Sequence, residues 1–359
     1  MKKIIIAAGG TGGHIYPAIS LTDKLKKNFQ VIFIVKKNDK AINILKKLKL
    51  NYYEILITGF PRKISFVLIE FILNLLLSFI KTYRILVVEK PVCCIGFGSY
   101  ISFPVILVSK LLRIKTVIHE QNIIPGLANH ILGKITDKVA LSFEYTRKYF
   151  NYKKTLITGN FVREEILNIT KQHGLNWFNS NFNLNFKNEK FTILILGGSQ
   201  GAHFINNIII HALDLLEEYK DKIQIIHLTG EKDFVYVREK YKIKNYKNIV
   251  LGYLEEIGYA YSISDIVICR SGATTIAELI ALKKPCILIP YPYATGNHQL
   301  YNALYLSKNG CGIVIEEKVL NPLKLVNILT KFINNPELLK KYITSYNNFK
   351  HFSLSSIQF

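Results

Sequence analysis

Twice in this 359-residue chain an apolar run ends in a glycine-rich loop and passes straight into a helical pattern. That repetition narrows the fold more than any other feature of the sequence. The first unit is Ile4–Ala7, then Gly9, Gly10, Gly12 and Gly13, then His14 and a helix with Ala18, Leu21 and Leu25 at helical spacing. Pro17 is tolerated in the first turn of that helix. The second is Phe191–Leu196, the loop Gly197–Gly201, and a helix with Ile205, Ile208, Ile209, Ala212 and Leu216. Strands that are apolar on consecutive positions belong to parallel sheets covered on both faces. Further strands are expected in IQIIHLTG, NIVLGYL and DIVICRSGATTIAELIALKKPCILIPYP, the last reading strand, loop, helix, strand. The class is therefore α/β, with two Rossmann-like domains whose parallel sheets face a central cleft. The join falls near Leu156–Glu165, and the polar, Asn-rich stretch Asn176–Lys190 reads as a loop before the second domain's first strand.

Glycines between strand and helix let backbone N–H groups approach a ligand, and a helix N-terminus favours an anion, so each loop predicts a phosphate or diphosphate site or, taken in isolation, a tight strand–helix turn. The first is not a Walker loop, because no Gly-Lys-Ser/Thr is present. A dinucleotide fingerprint is also excluded. Ile15 stands where the third glycine belongs, and Lys36 and Lys37 follow the second strand where an acid is needed.

The formal net charge is +22, but only seven of the forty-seven cations are arginine, and the lysines are scattered. No aromatic-plus-basic module accompanies them, so the reading is no nucleic acid; an anionic membrane surface suits the charge better. The five cysteines show no metal-type pairs and read as buried, reduced thiols in a cytosolic protein. Ile4–Ala8 is too short an apolar core for a signal peptide. Ile64–Ile80 is a longer apolar run, short of the ~20 residues that span a bilayer. Glu70, Asn74 and Ser78 stripe one face of it, Ile69, Leu73, Leu76 and Phe79 the other, and Arg62, Lys63, Lys81 and Arg84 flank it. It reads as a helix packed in a core, one dipping an apolar face into a membrane, or a transmembrane span.

Six motifs in order, GGTGGHIYPA (9–18), HEQNIIPGLAN (119–129), TGNFVR (158–163), LGGSQGA (196–202), RSGATTIAE (270–278) and HQLYNA (298–303), cover nearly the whole chain. With them the chain resembles the MurG family of bacterial cell-wall glycosyltransferases. The resemblance implies a metal-free, inverting GT-B enzyme without cofactor. It would transfer N-acetylglucosamine from UDP-N-acetylglucosamine to undecaprenyl-diphospho-N-acetylmuramoyl-pentapeptide, giving lipid II for peptidoglycan at the cytoplasmic face of the inner membrane as a peripheral protein. It also implies a first domain over 1–160 for acceptor and membrane and a second over 161–335 for the donor. A last helix of about 336–359 would return to the first domain.

Residue by residue, the resemblance places Ser199 and the Gly197–Gly201 backbone at the UDP diphosphate, with Arg163 helping to neutralise it. Leu254 would read uracil through backbone groups, and Ala273, Thr274 and Thr275 would line a helix start at the phosphates. Glu278 would accept from ribose hydroxyls, and Gln299 would read the sugar. Thr11, Gly12, Gly13 and Asn122 would touch the donor from the first domain. Gly96, Gly98, Ser99 and Tyr100 would meet the polyprenyl-linked acceptor diphosphate, and Ile69, Leu73, Leu76 and Phe79 the membrane. His14 is the candidate general base, since an unperturbed histidine titrates near 6.5, or a residue that only hydrogen-bonds substrate. His119 and Glu120 are its rivals, Glu120 as base or as scaffold. The chain departs from the family at Ser99, where glycine is preferred; at Phe161, in place of proline; and at His130 and His203, in place of Arg or Lys. Two other readings stand beside the transferase: a UDP-sugar epimerase on the same scaffold, and a non-catalytic UDP-sugar- or lipid-binding subunit.

Overall fold

The computed structural model describes residues 1–10, 12–59 and 66–349, with the side chains of 66 and 67 left aside. Thr11, Arg62 and Lys63 lie outside the described residues, as does the stretch 350–359. The chain divides into two compact units between Val162 and Arg163.

Among the described residues the first unit holds seven strands: β1 (Lys2–Ala7), β2 (Phe29–Lys36), β3 (Asn51–Ile55), β4 (Cys93–Gly96), β5 (Lys115–Glu120), β6 (Lys138–Leu141) and β7 (Thr155–Ile157). They form one sheet in the order β3-β2-β1-β4-β5-β6-β7, with every pairing parallel. The expected strand Ile4–Ala7 is the centre of β1, where the strand order reverses. Its alternation splits the core. Ile4 and Ile6 pack on the side of helix Gly12–Leu25, while Ile5 and Ala7 pack with Ile85, Leu86 and Val105 on the other face. Both faces are thus buried, at about 1.5–3 kcal/mol per large aliphatic side chain.

The second unit repeats the plan with six strands: β8 (Phe191–Leu196), β9 (Ile223–Leu228), β10 (Asn248–Leu251), β11 (Ile266–Cys269), β12 (Cys286–Leu288) and β13 (Gly312–Val314). Their order is β10-β9-β8-β11-β12-β13, again all parallel. In both sheets the glycine loop leaves the strand at the reversal point, where open α/β sheets bind ligands.

Three expectations change. Asn176–Phe182 is helix, part of Lys171–Phe182, not loop. Thr170 caps it by accepting from the His173 N–H, and Leu175 and Phe178 anchor it in the unit's interior. Gly174 lets it approach helix Ile257–Ile263 so closely that a Cβ would lie 2.1 Å from Ser262 Oγ. Trp177 then stacks on Tyr259, centroids 4.5 Å apart and planes within 3°.

Second, the described part of the C-terminal segment stays on the second unit. Helix Pro336–Ser345 lays Leu338, Leu339 and Tyr342 against that unit's core, and Tyr346 donates to Lys284 O at 2.6 Å. The rest of the helix expected over 336–359 lies outside the described residues.

Third, the apolar segment is a 24-residue helix, Phe66–Glu89, longer than its hydropathy suggested. Leu68–Glu89 is long and apolar enough to cross a membrane by composition, yet Ser78, Thr82, Ile85 and Leu86 pack inward. Ile69, Leu73 and Leu76 are more than half exposed. Phe79 is not with them: it packs on the core and meets Phe103 edge-on at 6.3 Å. Ile72, Leu77 and Ile80 complete the exposed face instead.

Candidate functional site

In the first unit the strand ends bring together the loops around His14, Phe97–Tyr100, Gln121–Gly126 and Thr158–Phe161. His14, in the first turn of helix Gly12–Leu25, is half-buried and holds Gln121 Oε1 at 3.2 Å from its Nδ1. Gly98 sits against its ring; with φ +83°, a Cβ there would be 3.3 Å from His14 Cε1 and 3.3 Å from Asn129 Nδ2. Ser99 follows at φ +64°, a left-handed conformation that costs a non-glycine residue about 1 kcal/mol. This is the physical basis of the glycine preference from which the sequence departs. Tyr100 is exposed beside it, and Gly96 is buried in β4 against Ser102.

Asp39 was not anticipated. Its Oδ2 accepts from the Gly10 N–H at 2.7 Å and its Oδ1 from the Ala41 N–H at 2.9 Å, so one amide of the first glycine loop is already committed to a carboxylate. Only an acid within reach of β2 could have signalled it.

Glu120 is 2% exposed and accepts from four donors: the Asn122 N–H (2.9 Å) and Nδ2 (3.3 Å), the Gly126 N–H (3.1 Å) and Asn129 Nδ2 (2.8 Å). Desolvation pushes its pKa up while these bonds pull it down. It clamps the loop after β5 to helix Leu127–Ile135, a scaffold's geometry. Asn122 gives its amide nitrogen to this clamp. His119 is likewise buried, its ring 5.2 Å from Phe97 and 4.9 Å from Phe161. Phe161, in place of proline, thus fills space beside His119. Burial brings the His119 pKa down to about 4, leaving the ring neutral.

In the second unit the loop after β8 is built from backbone. Gly198 (φ +86°) and Gly201 (φ +76°) are left-handed, and a Cβ on Gly201 would fall 2.0 Å from Thr229 O. Gly198, Ser199 and Gln200 are exposed at its crest, ahead of helix His203–Asp214. His203 faces Asp233, Nδ1 to Oδ2 at 3.0 Å. Helix Ala273–Leu282 begins after Gly272, around which nothing lies within 4 Å of a Cβ. Ala273 is buried, and Thr274 and Thr275 are half-exposed in its first turn. One turn on, Glu278 is nearly buried; Tyr261 donates to its Oε2 at 2.9 Å, and Arg163 NH2 lies 3.9 Å from its Oε1. Desolvation raises the Glu278 pKa, opposed by Arg163 and Tyr261.

Arg163 is therefore not an isolated cation: Glu165 also sits 3.2 Å from its NH1. The two carboxylates share the guanidinium expected for the diphosphate. Leu254 buries its side chain after β10, beside the exposed Tyr253. Gln299 commits its amide oxygen to the Tyr291 N–H at 3.0 Å, so its NH2 is the group left to read a hydroxyl. Among the described residues no three His, Cys, Asp or Glu side chains group to hold a metal ion.

The glycosyltransferase family 28 N-terminal domain profile matches residues 4–141, and the family's C-terminal domain profile matches residues 192–355. The chain is 39% identical over 355 residues to the UDP-N-acetylglucosamine--N-acetylmuramyl-(pentapeptide) pyrophosphoryl-undecaprenol N-acetylglucosamine transferase of Halothermothrix orenii, covering 96% of this chain and 93% of that one. It is 40% identical to the protein of the same name from Elusimicrobium minutum, covering 95% and 92%. The chain belongs to the MurG group of glycosyltransferase family 28. The crystal structure of Acinetobacter baumannii MurG superposes with a TM-score of 0.74 at 25% identity, over 97% of this chain and 95% of that one. A UDP-GlcNAc 2-epimerase from Neisseria meningitidis, bound to UDP-GlcNAc, matches at 0.68 with 16% identity and so shares the fold. The two parallel-sheet units are those of the GT-B architecture that MurG proteins have.

Proposed function

We propose that this protein transfers N-acetylglucosamine from UDP-N-acetylglucosamine to a polyprenyl-diphosphate-linked N-acetylmuramoyl-pentapeptide, making the disaccharide lipid of peptidoglycan. The observation that carries this reading is the end-to-end 39–40% identity to transferases of that name. The second unit takes the donor. Ser199 and the Gly197–Gly201 backbone face the diphosphate, and the start of helix Ala273–Leu282 adds its dipole through Ala273, Thr274 and Thr275. Glu278 accepts from the ribose hydroxyls, Leu254 offers backbone groups to uracil, and Gln299 donates to the sugar. Arg163, shared between Glu278 and Glu165, adds positive charge as UDP departs.

The first unit takes the acceptor. His14 removes the proton of its attacking hydroxyl, and Glu120 keeps the neighbouring loop in place. Gly12, Gly13 and Asn122 reach the donor, and the Gly96–Tyr100 segment meets the acceptor diphosphate. Ile69, Leu73 and Leu76, with Lys81 and Arg84 alongside, rest on the anionic cytoplasmic face of the membrane.

The assay supplies UDP-N-acetylglucosamine with the lipid-linked acceptor. Disaccharide lipid is the expected product. Free isomerised UDP-sugar would indicate an epimerase, and binding without turnover a non-catalytic subunit; either replaces the proposal. His14→Ala is expected to lower turnover far more than donor affinity.

A further inference from the structure

Gln121 lies one residue past β5 and is 1% exposed. Its Nε2 is 3.0 Å from Phe97 O and 3.2 Å from His119 O. Backbone carbonyls only accept, so the amide nitrogen must face them, and the amide oxygen is turned to His14 Nδ1 at 3.2 Å. An amide oxygen also only accepts. His14 Nδ1 must therefore carry a proton.

The other side of the network imposes the same direction. His119 Nε2 is 3.1 Å from Gly159 O, which requires the His119 proton to be on Nε2. Its Nδ1, 3.1 Å from Gln121 Nε2, is then an acceptor. The ring is wedged between Phe97 and Phe161, an apolar seat in which a second proton is disfavoured. Two hydrogens on Gln121 Nε2 are thus shared among three acceptors, none of which can donate back. The amide cannot flip without placing its oxygen against two carbonyls and a ring lone pair, and each buried mismatch costs about 1–3 kcal/mol.

We propose that Gln121, oriented by His119 and by the carbonyls of Phe97 and Gly159, is a positioning residue. It holds neutral His14 in the Nδ1–H form, with the basic lone pair on Nε2. This rests on the reading of His14 as the general base. In the transfer, Nε2 takes the acceptor hydroxyl's proton as that oxygen's electron pair bonds to the sugar carbon, and UDP leaves with the pair of the broken bond. The imidazolium formed keeps its Nδ1–H on Gln121 Oε1 throughout. Free imidazole side chains favour the opposite tautomer, so the preference is imposed by this relay.

The test is 15N NMR of the full chain labelled at histidine, with the His14 signals assigned by their loss in His14→Ala. The expected spectrum at neutral pH shows His14 Nδ1 protonated and Nε2 bare. In Gln121→Met, which keeps the volume and removes the amide, the proton is expected to move to Nε2. In the same variant kcat is expected to fall about tenfold or more while KM for UDP-N-acetylglucosamine holds. Wild-type His14 with its proton on Nε2 overturns the proposal, and this arm stands even if the Met variant does not fold. A Met variant with unchanged tautomer and kcat also overturns it. Unchanged turnover in His14→Ala, with the tautomer as expected, would instead remove the base reading beneath it.

Discussion

The two units share a strand order and a glycine loop at the same reversal point, yet they build their sites from different material. In the second unit the crest of the loop is backbone, exposed at Gly198, Ser199 and Gln200, and held from below by contact between Gly201 and the Thr229–Gly230 turn. In the first, an amide of the loop is closed by Asp39, and side chains crowd the strand ends: the half-buried His14 and the buried Gln121, His119 and Glu120. One scaffold thus serves two ends. Exposed loop backbone suits a multiply charged anion; a wired set of side chains suits a proton that must leave from a defined atom.

The sharpest way to break this contrast is to make one substitution in each loop. Gly201→Ala combines φ +76° with an overlap on Thr229 O, and should destabilise the protein by about 3 kcal/mol or more and abolish UDP binding. Gly98→Ala, whose nearest neighbours are 3.3 Å away, should cost less and lower turnover while donor affinity persists. Calorimetric melting and donor titration of both variants decide the matter; equal losses of donor affinity would erase the distinction.

Acid probes the buried imidazoles that both units contain. His119 is held down to about 4, and His227, buried in β9, to about 3, each chiefly by desolvation. Their native values lie below the unfolded value near 6.5. Below pH 6.5 the unfolded chain therefore takes up protons that the native chain refuses, and stability falls by about 1.4 kcal/mol per pH unit per ring, levelling only below the native values. The buried carboxyls Glu120 and Glu278, pushed up by desolvation, act in the opposite sense. The His227 share is read as the difference in slope between the protein and His227→Asn from pH 6.5 to 4.5; parallel curves would refute it.

A smaller effect should separate the donor side from the acceptor side. Glu278→Ala is expected to weaken UDP-N-acetylglucosamine binding about tenfold, roughly 1.4 kcal/mol, with the lipid acceptor's KM unchanged. An unchanged donor dissociation constant would remove Glu278 from the ribose. The smallest change expected is a gain. Ser99→Gly relieves the left-handed residue at φ +64° and should raise stability by about 1 kcal/mol, seen as a higher Tm.

Much of this was legible in the sequence because it is local. Strand, glycine loop and helix follow one another within about 25 residues, so β1, β8 and their helices could be read from periodicity alone. Helical phase set Ile69, Leu73, Leu76 and Phe79 on one face, but not which of them face outward, because phase alone cannot show that Phe103 waits on the inner side of Phe79. Helix Lys171–Phe182 was hidden by its asparagines, whose composition outweighs the cap at Thr170 and the anchors Leu175 and Phe178. The closure of Gly10 by Asp39, the pairing of Arg163 with Glu278 and the wiring of His14 through Gln121 all join distant residues. No spacing rule reaches across such separations; only the fold brings these partners together.

The chain has a single tryptophan, and it is the one stacked flat on Tyr259 between helices Lys171–Phe182 and Ile257–Ile263. Its emission is therefore an optical reporter confined to the second unit. Followed during heating or chemical denaturation beside a global signal such as circular dichroism, it tells whether that half lets go first, last or together with the rest, without any label being attached.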